Sequence, residues 1–148
     1  MERTPGQILR AAKTILLVDW PDQGIPRSLV KAGLTVFGFS PGGYSKARVV
    51  DSEPAKANGI SIFQPRSGEE GHLVFEKSEG SPGHADIVCI YRPEAEHELI
   101  FKNHVLPYGA KTVWLQPPVT SSAIGGLAAE HGITVIEGIN IAEAAAKI

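Results

Sequence analysis

The stretch GAKTVWLQPPVTSSAIGGLAAEHGITVIEG, residues 109–138, decides the fold. TVWLQ (112–116) is a continuous apolar run of β-type composition, and TVIEG (134–138) is a second run of the same character. Between them Ser121 or Ser122 is placed to cap a helix through AIGGLAAEHG. A strand without polar alternation is buried on both faces, which is the pattern of parallel sheet covered by helices on each side.

Working outward, the same character recurs in TILLVDW (14–20), TVFGFS (35–40) and DIVCIY (86–91). Three passages share one punctuation, a helix end, a glycine and a strand: KAGLTVF, YGAKTVW and EHGITVI. Pro26 sits in the first turn of a helix through RSLVKAG that Gly33 ends, and Pro93 begins a long helix, EAEHELIFKNHVLPYG, ended by Gly109. Asn140 caps the final IAEAAAKI. The class is α/β, with a parallel sheet of about five strands.

Residues 41–84 break this rhythm, being rich in Gly, Ser, Pro and charge. Two β-like runs stand out there, ISIFQ (60–64) and HLVFEK (72–77), joined by PRSGEEG. They read as a hairpin or a pair of edge strands, with a partly disordered loop as the alternative. There is no internal repeat, linker or low-complexity tract, so residues 1–148 are expected to form a single domain.

Charged residues make up 20% of the chain and the formal net charge is −2, so no global basic field draws in nucleic acid or an anionic membrane. No basic-aromatic cluster offsets this. The N-terminal apolar run, Ile15 to Val18, is too short for a signal-peptide core or a membrane span. Cys89, the single cysteine, lies inside an apolar run and is expected in the core of a protein of the reducing cytoplasm.

In an open parallel sheet ligands bind beyond the carboxyl ends of the strands, where strand order reverses. Those ends are Asp19-Trp20-Pro21, Ser40-Pro41-Gly42-Gly43-Tyr44, Tyr91-Arg92-Pro93, Gln116-Pro117-Pro118 and Glu137-Gly138-Ile139-Asn140. The first turn lacks the glycines of a dinucleotide fingerprint, and Ser40-Pro41 stands where an acidic residue would hold a ribose. A phosphate loop of the Walker type is also absent.

Taken together, ADIVCIYRPE and GAKTVWLQPPVTSSAIGGLAAEHGITVIEG resemble the small stand-alone CoA-binding proteins, which are similar to the CoA-binding domain of the succinyl-CoA synthetase alpha subunit. The resemblance runs from about Thr14 to the C-terminus. It implies a Rossmann-like three-layer fold, to which the β-like runs between residues 50 and 80 add a small insertion, and CoA or acyl-CoA as ligand. It also carries over a crevice lined by Asp19, Trp20, Pro21, Ser40, Pro41, Arg92, Pro93 and Gln116. Two departures stand out: the family's usual Gly-x-Ser-like first turn is Asp19-Trp20-Pro21 here, and the terminal cysteine motif of the last strand is Glu137-Gly138. Proline removes an amide donor and the aspartate adds negative charge where a phosphate would rest.

Each candidate has two readings. Arg92 either makes charge-assisted bonds to a phosphate or pairs with Glu94 or Glu96. Trp20 stacks on an adenine or closes the pocket, or else is a core aromatic; Asp19 bonds the ligand or braces its own turn. Arg27, Lys46, Arg48 and Arg66 either complement Arg92 around a diphosphate or are surface charges. The histidines show no metal-like spacing, and His97 and His104 are expected to be solvated on the long helix. No Gly-x-Ser-x-Gly elbow occurs, and only Asp19 with Glu137 offers a carboxylate pair across the crevice. No catalytic or metal residue is assigned. The resulting expectation is a binding module for CoA, acyl-CoA or a related adenine nucleotide. The alternatives are a protein-interaction or homo-oligomerisation module that has lost nucleotide binding, and a component of an acyl-CoA ligase.

Overall fold

β1 (Thr14–Val18) is the strand around which the rest assembles: Ile15, Leu16 and Leu17 have no exposed surface. The structure is a computed structural model and describes residues 3–40, 43–78, 80 and 82–148. Alternate residues of β1 enter two different cores. Ile15 and Leu17 pack with α1 (Pro5–Ala11), α2 (Gly24–Lys31) and α5 (Ile141–Ala145) through Ile8, Leu9, Ile25, Leu29, Ile141 and Ala145. Leu16 and Val18 pack on the opposite face with Ile100, Phe101 and Val105, and with Ile124 and Ala128 of α4 (Ser122–His131). Three layers result, with the sheet in the middle.

β1 lies between β2 (Thr35–Ser40) and β6 (Ile87–Ile90), and β7 (Thr112–Leu115) and β8 (Thr134–Glu137) continue beyond β6, all in parallel. These are the strands expected from the sequence. The Rossmann-like order therefore holds, but the sheet does not stop at β2. β3 (Gly43–Val50), β5 (His72–Lys77) and β4 (Ile60–Phe63) extend it antiparallel, giving eight strands in the order β4-β5-β3-β2-β1-β6-β7-β8. The hairpin reading of 60–77 is thus met, whereas β3 corrects the irregular reading of its segment. Only Ala47 of β3 is buried, so its local pattern carries no apolar run, and pairing with β2 and β5 on either side makes it a strand.

The extension is fastened to α2 by Arg27, a buried side chain with 4% exposure. Its Nη1 donates to the carbonyls of Gly71, at 2.6 Å, and Glu70, at 3.2 Å, and Glu69 Oε1 lies 3.5 Å from Nε. This excludes Arg27 from a diphosphate site. Arg66 pairs with Glu69 and Arg48 with Glu76, so neither is gathered beside Arg92.

Two helical expectations change. After Pro93 the chain makes a 3₁₀ turn, Glu94–Glu96, a one-turn helix α3 (His97–Ile100), and a π-turn, Phe101–Val105, instead of one regular helix. His97 is fully buried, donating Nε2–H to the Arg92 carbonyl at 2.7 Å, and so is not solvated. α1 is a helix beyond those expected from the sequence, although Thr4 and Gln7 form a capping box with Pro5 in the first turn. The expected caps hold elsewhere: Ser121 Oγ accepts from the Ile124 amide and Asn140 Oδ1 from those of Ala142 and Glu143.

Cys89 is 1% exposed and burial pushes its thiol pKa far up, which leaves it a packing residue. Asp86 ties the start of β6 to that of β1, its Oδ2 accepting from the amides of Lys13 (2.8 Å) and Thr14 (3.0 Å). Among the described residues no helix is long and apolar enough to cross a membrane.

Candidate functional site

The crevice opens where β1 and β6 end and the chain departs in opposite directions to reach their neighbours. Asp19 follows β1 with φ +63°, the left-handed region that Asp and Asn tolerate better than other side chains with a Cβ. This conformation folds its carboxylate back, so that Oδ1 accepts from the Trp20 amide at 2.9 Å. The other oxygen, Oδ2, accepts from Arg92 Nη1 at 3.0 Å.

Arg92 leaves β6 one residue past Tyr91, and Glu96 holds it from the other side. Nε donates to Glu96 Oε1 at 3.1 Å and Nη2 to Oε2 at 2.7 Å, a bidentate pair. The bonds to Glu96, and then those to Asp19, hold the guanidinium still more firmly protonated than an ordinary arginine. Pro93 turns the chain so that Glu94 reaches the start of α4. There Glu94 Oε2 accepts from the Ser122 amide at 2.8 Å and its hydroxyl at 3.1 Å, bonds that lower the carboxyl pKa.

Two cavities meet at the Asp19–Arg92 pair. The larger, about 450 Å³, is lined by Asp19, Tyr91, Arg92, Pro93, Glu94 and Pro118 with Val119 and Thr120 beside them. The smaller, about 200 Å³, has Val18, Phe39 and Ile100 as apolar walls and Ser40, Asp19, Arg92 and Glu96 as its polar rim. Arg92 is the one basic side chain among the described residues that line them.

Of the residues expected at the site, Asp19, Arg92 and Pro93 line the larger cavity, and Ser40 joins Asp19 and Arg92 at the smaller. Trp20 turns away: its indole stacks on Phe75 of β5, with ring centroids 5.2 Å apart and planes 15° from parallel, and Nε1 donates to Gln23. Pro21 is exposed and lines neither cavity. Gln116 is 2% exposed and is spent on the fold, its Oε1 accepting from the Ile141 amide at 2.9 Å, next to the cis Pro117-Pro118 bond. Pro41 lies outside the described residues. Glu137 is exposed at the end of β8 and lines neither cavity, so the two carboxylates do not meet there.

Sequence reasoning missed a polar aromatic group close by. Tyr44 Oη shares a 2.8 Å hydrogen bond with His104 Nδ1 and another with Tyr108 Oη, and Phe39 packs on the His104 ring at 4.3 Å. Burial foremost, with the Tyr108 bond adding to it, pushes the Tyr44 pKa far up, while burial lowers that of His104. His104 is thus also not a solvated helix residue. No local signal links residues 60 positions apart, so only the β2–β3 pairing reveals them.

A family model described as a CoA binding domain matches residues 34–142. Among solved structures, one titled the structure of cell-free ID.343 from Thermus thermophilus is 20% identical, covers 95% of this chain and 92% of its own, and superposes with a TM-score of 0.61. A second, titled as the crystal structure of an uncharacterized protein, is 15% identical over 92% of this chain and 96% of its own, with a TM-score of 0.53. At these identities the likeness is one of fold. No curated protein matches the chain.

Proposed function

Because the chain belongs to the CoA-binding domain family, we propose that the crevice between β1 and β6 binds CoA or an acyl-CoA, without catalytic machinery of its own. The observation that carries this reading is the position of Arg92, a cation at the strand ends where the two cavities join. The diphosphate is placed against its guanidinium. The adenine enters the smaller cavity beside Ser40, between Phe39 and Ile100, and the pantetheine arm with any acyl group follows the larger one. Buried, unreactive Cys89 is consistent with the reducing cytoplasm.

Thermal unfolding with CoA, acetyl-CoA, ADP and NAD, repeated on Arg92→Ala, tests the reading. Ligand at about a hundred times its dissociation constant adds roughly 2.7 kcal/mol of stability. The expected result is a shift with CoA and acetyl-CoA that Arg92→Ala removes. No shift with any of the four would sink it.

One observation favours the interaction-module alternative. Arg92 is already engaged by two carboxylates, Asp19 and Glu96. Concentration-dependent self-association, with no response to ligand, is the result that would support it.

A further inference from the structure

We propose that Asp19 is an internal competitor for the anion that Arg92 takes, so that ligand and Asp19 exchange at Nη1 while Glu96 keeps the guanidinium in place. The identity of that anion as the CoA diphosphate rests on the reading above; the exchange itself rests on the ion pairs.

A guanidinium carries five N–H donors in a fixed plane. Glu96 takes one on Nε and one on Nη2, which fixes the plane, and it does so from the 3₁₀ turn that follows Pro93, four residues along the chain. Asp19 takes only one, on Nη1, from a different strand end. The two partners are therefore unequal. Losing Asp19 leaves Arg92 oriented, whereas losing Glu96 frees its direction.

Asp19 is also the carboxylate that borders both cavities, while Glu94 borders the larger alone and Glu96 the smaller alone. An anionic group spanning the junction meets the Asp19 charge and the Arg92 Nη1 donor together. The like charge opposes it and the donor attracts it, so binding favours release of Asp19 from Nη1. Asp19 and Arg92 are about half exposed in the free protein, 47% and 40%, which keeps the pair weak enough to exchange. Asp19 thereby sets the affinity threshold of the site.

The test is calorimetric titration at fixed pH and ionic strength with two probes, inorganic pyrophosphate and CoA, on the wild type and three variants. Asp19→Asn keeps an oxygen for the Trp20 amide and suits the left-handed backbone; Asp19→Gly suits it better still. Glu94→Gln removes the same charge from the same cleft but from a group bonded to Ser122 instead of Arg92. Both Asp19 variants are expected to bind roughly fivefold tighter, the order of one exposed ion pair no longer surrendered, and Glu94→Gln distinctly less so. A gain in affinity cannot arise from misfolding.

If the Asp19 variants tighten on pyrophosphate while CoA binds none of the proteins, the competitor role holds and the CoA reading falls. If CoA binds the wild type and the Asp19 variants are no tighter, or Glu94→Gln tightens equally, the competitor role is overturned and the CoA reading stands. If neither probe binds any of the proteins, both are overturned.

Discussion

The Trp20 indole lies on the Phe75 ring and directly over Gly38 of β2: a Cβ built at Gly38 falls 2.6 Å from Trp20 Cη2 and 2.8 Å from Cζ3. The turn after β1 is thereby pressed onto the antiparallel extension, and the missing side chain at residue 38 is what admits the ring.

Gly38→Ala is accordingly expected to destabilise the protein by about 1–3 kcal/mol through overpacking, since the ring is held between β2 and Phe75 and cannot retreat. Urea unfolding followed by Trp fluorescence measures it. In the double variant with Trp20→Leu the alanine should cost distinctly less than it does alone; an unchanged cost would show that the indole is not the obstacle.

Arg27→Leu leaves the carbonyls of Glu70 and Gly71 without their donor and deprives Glu69 of a cation. We expect a loss of about 2–4 kcal/mol, the range for breaking a buried, charged hydrogen-bonding group. The loss should be accompanied by faster amide hydrogen exchange in residues 60–77, with β6 and β7 retaining their protection. Uniform exchange across the sheet would contradict the anchoring role.

Asp86 acts through pH. Burial alone would raise its pKa, but the Thr14 and Lys13 amides and His84 outweigh this and hold it below the ordinary aspartate value. A folded pKa below the unfolded one means that the stabilisation is complete above about pH 4 and is lost as pH falls through the folded value. Asp86→Asn should therefore lower stability by about 1 kcal/mol at pH 7 and flatten the acid limb of the stability profile. An acid limb identical to wild type would refute it.

His104 and Tyr44 act in two other pH windows. His104 has a lowered folded pKa, so the folded state resists its protonation and stability declines as pH drops below about 6.5 toward that lower value. Tyr44 has a raised one, so its contribution is intact below about pH 10 and is lost above it. His104→Gln should remove the first decline and Tyr44→Phe most of the second, read by chemical unfolding across pH.

The parallel half of the sheet was legible because β1, β6 and β7 are buried on both faces and so must be written as unbroken apolar runs. Ser121 and Asn140 were legible as caps because their work is done within three residues. β3 was not, since one buried alanine is all its sequence contributes and its partners supply the rest. At the crevice, the strand ends place Asp19 and Arg92, and Glu96 is one of the two partners that the sequence offers Arg92. The directions of Trp20 and Gln116 could not be read, because what each meets lies 55 and 25 residues away in Phe75 and Ile141.

Asp19 and Trp20 are neighbours in the chain that are gripped from different quarters, one by Arg92 and the other by Phe75. The single turn therefore joins the parallel half of the sheet to the antiparallel one, its carboxylate held by the first and its indole by the second. The antiparallel strands are thus the ballast of the crevice: they hold the turn that carries one of its charged groups.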